Sequence, residues 1–210
     1  MTLSPEARLY GILDLGYVEK KDALSVAESL ILGGASLLQL RAKGHDPAGL
    51  LDLAKELNVL CSKHHVPFII NDHVQLAKDC GAPGLHLGQD DGSLDEARAI
   101  LGQHVLVGRS THSVEQAQAA LAEGADYIGF GPLFPTPTKK GRPGIGMENI
   151  EIVERTVGCA IPVFCIGGIK PENLSEVKAA GAQRVVIVSH LLQAADITAE
   201  TKSIITTLKS

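Results

Sequence analysis

The sequence predicts a single-domain (β/α)8 TIM barrel within the α/β class, and three observations carry that expectation. Short apolar runs alternate with amphipathic segments along the chain, and there are eight such runs. A length of 210 residues suits one closed barrel, a fold that runs from about 200 residues upward. A hydrophobic content of 45% with only 3% aromatics and no Trp leaves Leu, Ile, Val and Ala to build the core, which suits buried parallel strands covered by helices. An open doubly wound sheet is the alternative for the same alternation. Residues 1–210 are expected to form one domain.

The elements follow in order. The first strand is expected at 9–14, then a helix at 23–32 that Gly33-Gly34 should stop. A strand at 37–41 leads to a helix at 48–60, and a strand at 68–71 to a helix of barely a turn or two at 75–80, ended by Gly81. After the strand at 84–87, Ser93 reads as an N-cap with Glu96 completing a capping box for a helix to residue 101. After the strand at 105–108, Ser113 and Gln116 repeat the pattern for a helix to residue 123, with Gly124 as its stop. Strands at 127–130, 163–166 and 185–188 complete the eight. The remaining helices are a short one at 152–157, one at 172–180 stopped by Gly181, and one at 195–208.

The segment 129–146 breaks this rhythm. Its four prolines and five glycines forbid both a helix and a central strand. A long loop without secondary structure is uncommon in a compact domain and more often functional than idle. Thr136, Thr138 and Lys139 offer two hydroxyls and an ammonium just past a strand end, a chemical match to a phosphate or diphosphate. A solvated Lys-rich loop would carry the same residues.

Composition narrows the function classes. A formal charge of -5 and the lack of a basic cluster argue against a nucleic-acid surface. No apolar run approaches the ~18 residues of a membrane span, and the start of the chain lacks a signal-peptide pattern, so a soluble cytoplasmic protein is expected. Cys61, Cys80, Cys159 and Cys165 form no CxxC pair and are expected as buried free thiols. Nothing selects between a monomer and a homo-oligomer.

A barrel gathers the loops after its strands at one mouth, where the activity of such folds resides. There the chain supplies Gln39, Arg41 and Lys43, then Asn71 and Asp72, then Gln89, Asp90 and Asp91, then Ser110, Thr111 and His112. Arg41 and Lys43, spaced by two, share a face in an extended segment and could clamp a diphosphate, although a solvated rim pair has the same pattern. Asp72 and Asp91 offer hard oxygens that suit Mg²⁺ bridging to phosphates, although an Asp that caps a helix is equally common there. Gly167-Gly168-Ile169 followed by Pro171 reads as a tight turn facing an anion, and Val188-Ser189 adds further donors. Loops after strands seven and eight are the usual phosphate site of these barrels.

Among the eight histidines, His64-His65 is explained by a helix C-terminus and His86 by an internal hydrogen bond. His112 lies on the rim and is the candidate for proton transfer.

Together these residues resemble the thiamine-phosphate synthase family. The resemblance rests on Gln39-Leu-Arg-Ala-Lys43, Asn71-Asp72, His86-Leu-Gly-Gln-Asp-Asp91, Ser110-Thr-His112, Gly131-Pro-Leu-Phe-Pro-Thr-Pro-Thr-Lys139, Ile166-Gly-Gly-Ile169 and Val188-Ser189, in order over nearly the whole chain. It implies a (β/α)8 transferase that joins a pyrimidine methyl diphosphate to a thiazole phosphate, two small phosphorylated substrates, with loss of diphosphate. It further implies that Gln39, Arg41, Lys43, Asn71, Ser110 and Lys139 hold the pyrimidine diphosphate, with Arg41, Lys43, Ser110 and Lys139 acting in catalysis. Asp72 and Asp91 would bind Mg²⁺, and Thr136, Thr138, Gly168, Val188 and Ser189 would hold the thiazole phosphate. Two positions depart from the family pattern: Ala42 stands where Glu is usual, so that a carboxylate near Arg41 and Lys43 is expected to be missing, and Arg109 where a small or apolar residue is common, a change expected to bear on the pyrimidine pocket. The related thiazole tautomerase uses a histidine matching His112 but tends to lack the Asp pair and the Gln-x-Arg-x-Lys motif. A barrel that binds thiazole or thiamine phosphate without turnover is the non-enzymatic alternative.

Overall fold

Eight parallel strands close into a barrel in chain order: β1 (Leu9–Asp14), β2 (Leu37–Arg41), β3 (Phe68–Asn71), β4 (Gly84–Leu87), β5 (Leu106–Thr111), β6 (Tyr127–Phe130), β7 (Val163–Ile166) and β8 (Val185–Val186). The ring closes through Leu9 opposite Val185 and Tyr10 opposite Val186. This computed structural model describes residues 3–136 and 143–209. The TIM barrel predicted from the alternation is therefore the fold observed, and the open sheet is not.

Around the ring lie α1 (Ala23–Gly33), α2 (Leu51–Lys63), α3 (Val74–Cys80), α4 (Leu94–Leu101), α5 (Val114–Ala122), α6 (Ile150–Val153), α7 (Pro171–Ala179), α8 (Ser189–Leu192) and α9 (Ile197–Lys209). Gly34 and Gly81 cap α1 and α3 in left-handed geometry, as expected of stop residues. Ser93 and Glu96 form the full reciprocal capping box on α4. On α5 only half of the expected box forms. Ser113 Oγ accepts from Gln116 N–H at 3.2 Å, but Gln116 Oε1 accepts from His112 N–H at 2.8 Å and so reaches one residue further back.

Other boundaries moved for local reasons. The region before α2 is a 3₁₀ turn, Pro47–Leu50, capped by Asp46 with proline at its first positions. Strand β5 runs on to Thr111 because Ser110 and Thr111 find partners in Gly129 and Phe130 of β6. Strand β8 stops at Val186, and Val188 (φ -106°, ψ -82°) leaves strand geometry to open α8, a four-residue helix too short for periodicity to reveal. α6 continues as a π-helical turn, Glu154–Gly158.

Two cores result. The larger one packs outward-facing strand residues against the helices, and Ala42 belongs to it. The smaller one fills the barrel interior with Tyr10, Ile12, Leu37, Ile69, Tyr127, Phe164 and Val186. Gly84 and Gly108 make room there, since a Cβ would collide with the Ile69 side chain at the first and the Tyr127 ring at the second. The rings meet edge-on, Tyr10 with Phe164 at 5.4 Å and Tyr127 with Phe164 at 6.0 Å, contacts of about 0.5–1.5 kcal/mol each beyond their burial. Cys61, Cys80 and Cys165 are buried free thiols as expected; Cys159, expected to be buried, is exposed in the turn after the π-helix. Among the described residues, no helix is long and apolar enough to cross a membrane.

Candidate active site

The strand period of two decides what faces the interior. On β1 it turns Tyr10 and Ile12 inward, on β2 Gln39 and Arg41, on β3 Asn71, on β4 His86, on β5 Ser110, and on β6 Gly129. These line a cavity of ≈ 940 Å³, counting the solvent at its mouth, which also reaches His112, Thr136, Gly167, Gly168, Val188 and Ser189. Its floor is polar. Gln39 Nε2 donates to Tyr10 Oη at 2.6 Å, and Tyr10 and Tyr127 share a hydroxyl hydrogen bond of 3.0 Å. Burial pushes both phenols above their ordinary range, so both stay neutral. His86 Nε2 sits 3.0 Å from Ser110 Oγ, the internal hydrogen bond expected of that histidine.

Charged groups gather at the rim, and β2 sits at their centre. Arg41 leans toward β1, where Asp14 Oδ2 accepts from its Nη1 at 2.5 Å. Lys43 leans the other way, toward the end of β3, and its Nζ lies 2.7 Å from Asp72 Oδ2. Asp72 adopts φ 63°, a left-handed conformation that Asp tolerates better than most residues. Burial pushes its carboxyl up, Lys43 pulls it down, and Asp91, close enough to hydrogen-bond with it, pushes it up again. Two carboxylates crowded in this way repel each other unless a proton or a cation lies between them, and they form the donor set a hard divalent ion would take. Among the described residues no cluster of three or more His, Cys, Asp or Glu is arranged for a metal. A cation here would therefore complete its shell with water and ligand oxygens, as Mg²⁺ does.

Asp91 is held by its own turn. Its Oδ2 accepts from Gly88 N–H at 2.8 Å, and Gln89 Nε2 donates to the Ser110 carbonyl at 2.6 Å. Arg109 lies outside this turn and donates to the carbonyls of Gly88 and Gly92 at 2.7 and 2.9 Å.

Across the mouth, the loop after β6 docks on the turn after β7. Leu133 N–H donates to the Ile166 carbonyl at 2.8 Å and Phe134 N–H to that of Gly167 at 3.1 Å. The chain returns along the same path, Ile145 N–H to Pro132 O at 2.8 Å and Gly146 N–H to Leu133 O at 3.1 Å. Only glycine fits at 168, where φ is +66° and a Cβ would stand 2.6 Å from Phe134 Cβ. Asn173 Nδ2 binds the Gly168 carbonyl at 3.0 Å, so the carbonyls of this turn are engaged and what it can offer an anion is its N–H groups. Ser189 opens α8 beside it, the short extra helix that phosphate-binding barrels use. His112 Nδ1 faces the Gly131 carbonyl in a short hydrogen bond. A carbonyl only accepts, so Nδ1 carries the hydrogen and Nε2 is the basic position.

Residues 9–191 match the family described as thiamine monophosphate synthase. The chain belongs to the thiamine monophosphate synthase family. It is 43% identical over 179 residues to the thiamine-phosphate synthase of Gloeobacter violaceus, a match covering 83% of this chain and 51% of that protein. It is 40% identical over 191 residues to the thiamine-phosphate synthase of Halalkalibacterium halodurans, covering 90% of each. The chain thus spans about half the length of the first relatives it matches, 51–53% of each, and 90% of the Halalkalibacterium protein. The solved thiamine phosphate pyrophosphorylase of Pyrococcus furiosus superposes with a TM-score of 0.85 at 29% identity, covering 98% of both chains.

In this member of the thiamine monophosphate synthase family, Gln39, Arg41, Asn71, Ser110, Thr136, Gly168, Val188 and Ser189 line one cavity. Lys43, Asp72 and Asp91 form a cluster at its rim. Thr138 and Lys139 lie outside the described residues. Arg41 and Lys43 each pair with a different carboxylate, Asp14 on one flank of β2 and Asp72 on the other. Two expectations about the departures need correction. Ala42 faces the outer core, and the carboxylate beside Arg41 comes from Asp14. Arg109 does not reach the cavity, because β5 turns it outward while Ser110 turns inward. Sequence reasoning missed Asp14, 27 residues from Arg41 along the chain, and Asn173; an acidic residue ending the first strand was the available signal for Asp14.

Proposed function

We propose that the protein is a thiamine-phosphate synthase, which couples 4-amino-2-methyl-5-(diphosphooxymethyl)pyrimidine with 4-methyl-5-(2-phosphoethyl)thiazole to give thiamine phosphate and diphosphate. The observation that carries this reading is the Lys43–Asp72 pair at 2.7 Å with Asp91 against it, beside a cavity lined by Arg41, Asn71 and Ser110. A leaving diphosphate needs positive charge where its own charge grows as the C–O bond breaks. Arg41 and Lys43, joined by Lys139, meet that need, while Gln39, Asn71 and Ser110 orient the pyrimidine. Asp72 and Asp91 would hold Mg²⁺, which when bound would supply further positive charge to stabilise the departing diphosphate.

The bonding pair of the C–O bond departs with diphosphate, and the methylene cation left behind is captured by the lone pair of the thiazole nitrogen. Thr136, Thr138, Gly168, Val188 and Ser189 hold the thiazole phosphate so that this nitrogen faces the cation, which lowers the barrier by orientation. No side chain needs to move a proton. The neutral phenols and Phe164, packed edge-on, fill the barrel interior below the cavity.

The test mixes both half-substrates with protein and Mg²⁺, with and without EDTA. Diphosphate release that EDTA abolishes is expected, and its absence in both tubes overturns the reading. His112, with Nε2 as its basic position, supports thiazole tautomerisation as a second reading of the same cavity. His112→Ala separates the two, since it removes tautomerisation and leaves coupling measurable.

A further inference from the structure

Arg109 is buried, 6% exposed, yet it touches neither the cavity nor a full ion-pair partner. Its Nη2 lies 3.6 Å from Glu123 at the end of α5, a carboxylate that is itself half exposed. Its strongest contacts are instead to backbone, the carbonyls of Gly88 and Gly92, both served by Nη1. Those two residues open and close the turn that carries Asp91. A planar guanidinium nitrogen with two hydrogens fixes the separation of the two acceptors it bridges, which a flexible ammonium does not.

Inside that turn the geometry is tight. Gly88 N–H binds Asp91 Oδ2 at 2.8 Å, and a Cβ on Gly88 would stand 2.5 Å from the same oxygen. Gln89 is tied to the main-chain carbonyl of Ser110, and the Arg109 side chain ties the turn at Gly88 and Gly92. Consecutive residues of one strand thus grip the Asp91 turn at three points.

We propose that Arg109 is a positioning residue for the divalent-cation site: by bridging Gly88 and Gly92 it holds the Asp91 carboxylate against Asp72 and raises the affinity for the metal. This rests on reading Asp72 and Asp91 as the metal ligands. Arg109 touches neither metal nor substrate, so its effect falls on cation binding and not on the chemical step.

The test is a Mn²⁺ titration of the intact protein, with free ion followed by its electron paramagnetic resonance signal, for wild type, Arg109→Leu and Arg109→Lys. Circular dichroism establishes that each variant is folded. Arg109→Leu is expected to bind Mn²⁺ roughly tenfold more weakly, the low end of what outer partners of metal ligands contribute. Arg109→Lys recovers part of the loss, about threefold weaker than wild type, because it keeps charge without the fixed fork. In the coupling assay the Mg²⁺ concentration for half-activity rises in parallel, while kcat at saturating Mg²⁺ stays within about twofold, a split that a general loss of structure does not produce. Folded Leu and Lys variants that both match wild type in Mn²⁺ affinity overturn this inference alone. If Arg109→Leu does not fold, the Lys variant decides, and its binding Mn²⁺ as tightly as wild type overturns the inference. A wild-type protein that binds no Mn²⁺ overturns the metal reading beneath it, and the inference with it.

Discussion

Asp14 holds Arg41 with one carboxylate oxygen at 2.5 Å and the N–H of Gly16 with the other at 2.9 Å, from a position only 1% exposed. One buried anion therefore orients a cavity guanidinium and also sets the turn after β1. Asp14→Ala leaves Arg41 without its partner in a half-buried position. Unfolding in urea is expected to show a loss of about 3 kcal/mol, typical of removing one member of a buried pair. Because Arg41 also loses its orientation, kcat/KM for coupling falls by about 100-fold. Wild-type kinetics in a destabilised Asp14→Ala protein would remove Arg41 from the substrate site.

Gly88→Ala places a methyl group where the Asp91 carboxylate now sits, 2.5 Å from Oδ2, without altering any charge. The carboxylate must leave the position it holds beside Asp72. Turnover at limiting Mg²⁺ is expected to drop by at least about tenfold, with recovery as Mg²⁺ is raised. Asp91→Asn should slow turnover by at least about tenfold too, without recovery, because the donor itself is weakened. Steady-state rates across a Mg²⁺ series distinguish the two, and identical curves for both variants and wild type would contradict the metal assignment.

Glu154, in the π-helical turn, provides a pH test of the fold away from the mouth. Burial pushes its carboxyl up, against the Gln183 N–H and the Arg184 guanidinium, which pull it down. A carboxyl whose pKa is higher when folded favours the native state fully below its unfolded pKa, and loses that contribution as pH rises through the folded value. Glu154→Gln does not titrate, so its stability relative to wild type should improve as pH rises from about 4.5 toward neutrality. Urea midpoints at several pH values measure this directly. A wild-type-minus-Gln difference that stays flat across that range would show that Glu154 is not held up by its burial.

The barrel was legible because each strand carries its own local signature of apolar run and turn, and closure needs only that eight of them repeat. The site was legible where polar residues end strands: Gln39, Asn71 and Ser110 could be read as inward from their strand positions, and the structure brings them to one cavity. What escaped depends on neighbours that only closure creates. Asp14 and Arg41 meet because β1 pairs with β2, and nothing in either segment names the other. Arg109 was misjudged although the alternation that turns Ser110 inward must turn its neighbour out. The Gln116 side chain serves His112 and not Ser113, a one-residue shift below the resolution of a capping pattern. Thr138 and Lys139, read from chemistry alone, lie outside the described residues.

Arg41 and Lys43, the two cations described at the rim, are both already engaged, one on either flank of β2. An incoming polyanion must therefore win these side chains from resident acids instead of filling vacant positive sites. Its grip is a difference between rival attractions, and anything that occupies Asp72 liberates Lys43. On the proposed reading, a cation taken up by Asp72 would free Lys43 for the anion, so the two events would favour each other through a single lysine that answers either to Asp72 or to the ligand.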